Sequence, residues 1–522
     1  MKIINKIITV VILLLTIMAC TSNFEEINTN PNTTTVGEIK ASSLFEPLLY
    51  NGADYWLNYT WFWNDELIQF TAFTGGTTRQ EHRYFISDGN WQSVWNAYSR
   101  YANNTVHMHD LAVKDDDRSL EAISRTLKVL FMSNLTDMYG DVPYSEAFKI
   151  LEGGGRKPKF DSQREVYAQM FAELDSANVI YLEQPVFVKP ELDGMYNGAM
   201  EKWQKFNNSL YMRLLMRVSG RSEMNVGSKL TEIVNNPKVF PVFNSNDDNA
   251  TVVYTGTDPY RNYFANTNEG DFTSSGRKLT EQLIKMTVVT EDEKQVYQDP
   301  RLAIIGKKNP SAQTNPENKW IGTVAGVKEE NRSDVDRGTS WLNAADLARP
   351  AAPGFFMDYA EVQFILAEAT QRGLIPGGTS QAKEHYTKAV TASVDKWAQL
   401  GQYSDPQVTV SEGDITTFLA SDLASWDKAS DKLQLIGSQK YLALFWIGME
   451  AYHEYRRTGY PELTIGDGAN FNDFILPTRF AYPNTTMATN GINAQEALIR
   501  MGGENTMKTP VWWSKQAIEE GK

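Results

Sequence analysis

Five histidines, one cysteine and 64 carboxylates are the groups from which this 522-residue chain could build a reaction or a metal centre. His107, His109 and Asp110 stand together in "HMHD", but positions i and i+2 do not share a helix face, so they make a poor ligand set. No HExxH, CxxC or EF-hand loop occurs. "KDDDR" at 114–118 reads as a solvated turn that caps a following helix. "NSNDDNA" at 244–250 has oxygen ligands enough for Ca²⁺, yet lacks the placed glycine and the closing glutamate of an EF-hand. A serine hydrolase would need a GxSxG elbow, and none is present. A carboxylate pair about 5–9 Å apart would suffice for a glycosidase, and with 64 acids the sequence leaves that open. A surface glycosidase is therefore the competing enzymatic reading; no metal and no cofactor is expected.

The single cysteine, Cys20, cannot close an intramolecular disulfide. Lys2 and Lys6 precede an apolar run from Ile7 to Met18, too short to span a membrane, and small Ala19 comes just before the cysteine. This is the layout of a secretory signal, with the cysteine either incidental or the point of processing. "IMAC" resembles a bacterial lipobox, which implies cleavage before Cys20 and lipidation of its thiol. Residues 1–19 are then a signal peptide, 20–45 a lipidated tether and 46–522 the folded domain. Glu25 and Glu26 resemble signals for the outer leaflet and serve equally well as a polar linker. Cleavage removes two lysines and takes the formal charge from −14 to −16. A surface so acidic repels phosphate backbones, which argues against a nucleic-acid partner, and it offers no basic patch for membranes. Lipid must supply the anchor, because no later stretch has 18 consecutive apolar residues.

The elements that position the candidate residues are mainly helical. Leu120, Ile123, Leu127, Leu130 and Phe131 share a face that ends at Gly140. Ser162 and Glu165 form a capping box for a stripe of Val166, Met170, Leu174 and Ala177. A third helix carries Trp203, Phe206, Leu210, Leu214 and Val218, with Arg213 and Arg217 expected on its flank. Between 359 and 398, two helices meet through small residues, Ala367 and Ala369 against Ala389 and Ala392, in a pattern similar to a tetratricopeptide repeat. Residues 221–350 and 460–520 are rich in Gly, Pro, Asn and Asp, and read as long irregular loops packed beside the helices. The chain contains 13 Trp and 24 Tyr, and in an exported protein such rings are suited to stacking on sugars.

Seven segments, taken in order, resemble the SusD/RagB family of nutrient-binding outer-membrane lipoproteins. They are "NFEEINTNPN" at 23–32, "TDMYGDVPYSEAF" at 136–148 with "FDSQREVYAQM", "KWQKFNNSLYMRLLMRVSG", "DPRL" at 299–302, "YAEVQFILAEATQRG", "QKYLALFWIGMEAYHEYRRTGYP" at 439–461, and "PTRFAYPN" with "GGENTMKTPVWW". Locally they read as scaffold: Arg456 and Arg457 close a helix and can bond Glu450 or Glu454. The resemblance implies a mainly α, tetratricopeptide-like scaffold at the outer membrane, facing the cell exterior. It also implies that the chain delivers an oligosaccharide, or in some members a peptide, to a SusC-like TonB-dependent transporter without any reaction. By position it implies ligand contacts from the loop of Arg79, His82 and Tyr84 and from the region of Trp320 and Trp341; Tyr260 and Tyr263 join them as loop aromatics. Trp91, Trp95 and Tyr98 read instead as a core stripe, and "YWLNYTWFWNDELIQF" at 55–70 as a helix with buried tryptophans.

Overall fold

The structure is a computed structural model and describes residue 4 and residues 39–74, 79–149, 153–273 and 276–522. Cys20, Glu25, Glu26, the "NFEEINTNPN" segment, the tether up to residue 38 and all of the signal region but one residue lie outside these. Helices of nine residues or more are numbered here. They are α1 Ala41–Tyr59, α2 Asp88–Lys114, α3 Arg118–Tyr139, α4 Gln163–Leu182, α5 Met200–Arg217, α6 Val226–Asn235, α7 Tyr359–Gln371, α8 Gly378–Leu400, α9 Glu412–Ala420, α10 Lys432–Ala443, α11 Glu450–Thr458 and α12 Gly491–Arg500. The chain is mainly α, and its helices pack as successive antiparallel neighbours: α2 on α3, α3 on α4, α4 on α5, α7 on α8.

Local signals start and stop these helices. Asp117 accepts from the Leu120 N–H to cap α3, and Gly140 (φ +84°) ends it. At α4 the Ser162 N–H donates to Glu165 at 2.9 Å, while the Ser162 hydroxyl accepts from the Glu165 N–H, which completes the expected capping box. In the α7–α8 pair, Ala367, Ala369 and Ala389 are fully buried, so the two backbones approach closely and Phe364 meets Tyr386 edge-on at 6.2 Å. Phe364, Ala367, Tyr386 and Ala389, with Ile415, Phe418, Trp426 and Ile436, form a second apolar core beside the main one.

Arg213 and Arg217 do not lie on a flank. From Phe206 to Arg217 every residue of α5 is buried, because neighbours surround the helix on all sides. Each guanidinium is then neutralised internally: Arg213 on Glu361 of α7 at 2.7 Å, Arg217 on Asp137 of α3 at 2.8 Å and on Glu450 of α11. Arg457 closes on Glu368 at 2.7 Å and on Glu454, and Lys440 reaches Glu454 at 3.1 Å. This buried lattice ties five helices together. Arg457 is scaffold as expected, while Arg456, also buried, donates to the carbonyls of Asp137 and Thr478 at 2.8 Å rather than to Glu450 or Glu454.

The 221–350 stretch is less irregular than its composition suggests. It contributes to a four-stranded antiparallel sheet in the order β1 (Thr71–Phe73), β3 (Arg277–Leu279), β7 (Trp341–Leu342), β6 (Gly306–Lys307). It also holds β2 (Ala250–Val252), which pairs with β8 (Gly354–Met357), and the hairpin β4 (Val288–Glu291) with β5 (Lys294–Gln298). Strands of two to five residues carry too few alternations to show a period of two.

Candidate functional site

The helix expected at 55–70 begins earlier, at Ala41, and changes pitch at Thr60–Asn64, a π-turn. The Thr60 hydroxyl donates to the Trp56 carbonyl at 2.9 Å and lies 3.2 Å from that of Gly448. The tryptophans of this segment are buried as expected: Trp56, Trp61 and Trp63 are 2–4% exposed. The other side of α1 carries Tyr50, Asp54 and Asn58, and the next position in the same i+4 series is Phe62 in the π-turn. All four are half-buried.

Against this stripe lies the 254–264 loop. Tyr260 packs on Tyr50 with ring centres 4.5 Å apart and donates its hydroxyl to Glu46 at 2.7 Å. Tyr254 donates to Asp54 at 2.7 Å. Burial pushes the Asp54 carboxyl up to about 6, with the Tyr254 bond acting in the opposite sense. Tyr263 is 41% exposed and stands within electrostatic reach of Asp54, Tyr55 and Arg79. At the far end the Arg79 guanidinium lies 4.5 Å from the Phe62 ring centre and 5.2 Å from those of Trp61 and Phe73. Burial and the neighbouring Arg277 charge hold its pKa down. Arg277 itself is fully buried, 3.9 Å from the Trp61 ring centre and paired with Glu66, which also binds the Thr71 hydroxyl and the Phe73 N–H. From Tyr50 to Phe62 the row spans about 18 Å at 1.5 Å per residue, long enough for several units of an oligomer. Tyrosine faces for stacking, a carboxylate acceptor and a guanidinium donor are what a sugar chain needs.

Of the seven residues expected at a ligand, Arg79, Tyr260 and Tyr263 meet along this row. His82 and Tyr84 are 5% and 2% exposed, and lie within a clasp of three loops. His82 Nδ1 accepts from the Gly326 N–H at 3.1 Å, and Arg83 donates to the Gly468 carbonyl at 2.9 Å. Gly326 (φ +71°) permits the clasp, since a Cβ there would stand 3.1 Å from the Gly466 backbone. Trp320 is 5% exposed, with its indole N–H on Gln298 at 2.8 Å. Trp341 is half-buried in β7 opposite Lys278. In the β1–β3 register Phe73 pairs with Arg277 and Ala72 with Lys278, so Arg79 over Phe73 and Trp341 beside Lys278 occupy opposite faces of the sheet. Tyr50, Asp54, Asn58 and Phe62 were missed by sequence reasoning, although their spacing of four was there to find; the tryptophans between them drew the reading to the core.

Burial holds the His82 ring neutral, its pKa pushed down to about 4. The unfolded chain takes up a proton below about 6.5, so the stability His82 confers is complete above that pH and fades as pH falls toward 4. We expect its share of the loss to be about 2 kcal/mol at pH 5. Urea unfolding at pH 7.5 and pH 5 should show a smaller acid sensitivity in His82→Gln than in wild type; equal sensitivities would contradict this.

Among the described residues no group of three or more His, Cys, Asp or Glu could hold a metal ion. In "NSNDDNA" the Asp248 carboxylate is taken by Lys205 at 3.1 Å and by the Asn244 N–H at 2.9 Å. Among the described residues no helix is long and apolar enough to cross a membrane.

Comparison with known proteins agrees with this fold. Residues 31–483 match the SusD-like family, described as "starch-binding associating with outer membrane". A solved structure named a chitin-binding protein is 27% identical with a TM-score of 0.74, covering 91% of this chain and 99% of its own. A SusD homologue from Bacteroides fragilis is 23% identical with a TM-score of 0.74, over 91% and 99%. A chitin-binding SusD homologue from Flavobacterium johnsoniae is 23% identical with a TM-score of 0.72, over 91% and 98%. The last two, under 25% identical, carry the fold alone. Among curated protein sequences none matches. With the family pattern running through most of its length and the fold shared over 91% of it, this chain belongs to the SusD-like family of outer-membrane-associated proteins.

Proposed function

We propose that this protein captures a nutrient glycan at the cell surface and passes it unchanged to a SusC-like TonB-dependent transporter. The observation that carries the reading is the row of Tyr50, Asp54, Tyr260, Tyr263 and Arg79, an open aromatic and polar surface on a rigid helix. His82, Tyr84 and Trp320 are not carried forward as contacts, because their side chains are enclosed. Trp341 would touch only a ligand that rounds the sheet edge. One structural relative, 27% identical, is named a chitin-binding protein, which makes N-acetylglucosamine oligomers the first ligands to try. Calorimetric titration with chito-, malto-, cello- and xylo-oligosaccharides should give saturable binding that weakens in Tyr263→Ala. Equal binding by the variant would overturn the site; no binding by the wild type to any of them would overturn the glycan reading.

Anchoring is assigned to Cys20, which in the mature chain would carry the lipid. Replacing Cys20 with alanine is expected to move the protein from the membrane pellet to the soluble fraction without changing oligosaccharide affinity. Retention in the pellet after the transporter has been removed would contradict the assignment.

A further inference from the structure

A groove of about 730 Å³ lies between α8, the start of α7 and residues 244–247. One polar face of α8 forms its floor: Thr387, Thr391, Asp395 and Gln399, spaced four apart. Tyr359 and Asp247 stand at its sides. The Asn246 side chain clamps its loop to α8 by donating to the Ala392 carbonyl at 2.9 Å.

The hydrogen-bonding groups of this floor are not used internally. Several helical threonines elsewhere turn their hydroxyls back to the carbonyl four residues earlier, as Thr370, Thr416, Thr417 and Thr458 do at 2.7–2.9 Å. Thr387 and Thr391 make no such bond, and the side-chain ends of Asp395, Gln399, Asp247 and Tyr359 have no hydrogen-bond partner among the described residues. Half-buried Asp395 sits deep enough that burial, helped by Glu412, raises its pKa.

The lining also decides the class of occupant. None of the large apolar side chains that stand exposed borders the groove, so it lacks the apolar centre of a protein–protein contact. One cation, Lys388, and two carboxylates, Asp247 and Asp395, line the groove, so the charge does not favour an anion. Hydroxyls, an amide, two carboxylates and one tyrosine ring match a neutral polyol. β2 leads from this groove toward Tyr254 of the tyrosine row, and the seven steps from Asp247 to Tyr254 span roughly 23 Å at most.

We propose that this groove is a second carbohydrate-binding site, separate from the tyrosine row, which holds a neutral sugar chain on Tyr359 and the polar face of α8. It rests on the reading of the protein as a glycan binder. The test is calorimetry on the full chain in detergent, with pentasaccharides of N-acetylglucosamine, α-1,4-glucose, β-1,4-glucose and xylose as probes. With the row weakened about ten- to a hundredfold by Tyr263→Ala, saturable binding to at least one probe should remain. Adding Tyr359→Ala, or the milder Asp395→Asn, should reduce that residual binding at least tenfold with thermal unfolding unchanged. Residual binding untouched by both changes, or a complete loss in Tyr263→Ala alone, would overturn the second site and leave the first standing. A wild type that binds none of the probes would overturn both.

Discussion

Arg217→Ala should lower the free energy of unfolding by about 3–5 kcal/mol, the usual effect of removing one partner from a buried ion pair. The guanidinium is the only cation that bonds Asp137 and Glu450 at once among the described residues. Asp137 also accepts from the Tyr167 hydroxyl at 2.6 Å and the Trp513 indole at 2.7 Å. Burial already raises its pKa, with Arg217 the chief opposing influence. Without that charge two carboxylates remain enclosed, and α3, α5, α11 and the C-terminal segment lose their common tie. Chemical denaturation at pH 7 measures the effect. Pairing Arg217→Met with Glu450→Gln should recover part of the loss, since both charges then leave together. A loss below about 1 kcal/mol for Arg217→Ala would mean the network is not what holds the array.

Trp320 and Tyr263 should respond in opposite ways. Trp320→Ala removes an enclosed indole and its bond to Gln298, and is expected to destabilise the fold by about 3–5 kcal/mol. At a temperature where the variant remains folded, its ligand affinity should match wild type. Tyr263→Ala strips an exposed ring, so stability should change by less than about 1 kcal/mol. Its ligand affinity should fall by about ten- to a hundredfold, the range for an aromatic anchor. Thermal unfolding and calorimetry on both variants separate the two roles. If Trp320→Ala weakens binding while leaving stability intact, the ligand lies on the sheet side of the molecule.

Long, capped helices were legible in the sequence, because Ser162 with Glu165 and the Gly140 stop are local signals that tertiary context has no reason to override. The α7–α8 pair was legible through its alanines. The burial of Arg213 and Arg217 was not, since a spacing of four describes a flank equally well whether water or another helix faces it. The short strands were hidden because their partners lie far apart: β1 at 71–73 pairs with β3 at 277–279. The site was half legible. Loop position pointed to Arg79, Tyr260 and Tyr263, which meet along the row, while position within the family resemblance pointed equally to Trp320, whose ring turns inward. The α1 stripe carried a readable period, but its polar face lies on a helix whose other side is dense with tryptophan.

The central claim is that the protein binds a glycan and returns it intact. The most direct measurement is equilibrium binding of the mature chain to a mixed panel of polysaccharides, oligosaccharides and peptides, with bound and free fractions weighed by mass spectrometry. The account predicts retention of one glycan class with every mass unchanged. Shortened products would reveal a glycosidase, and retention of peptides alone would contradict the glycan reading.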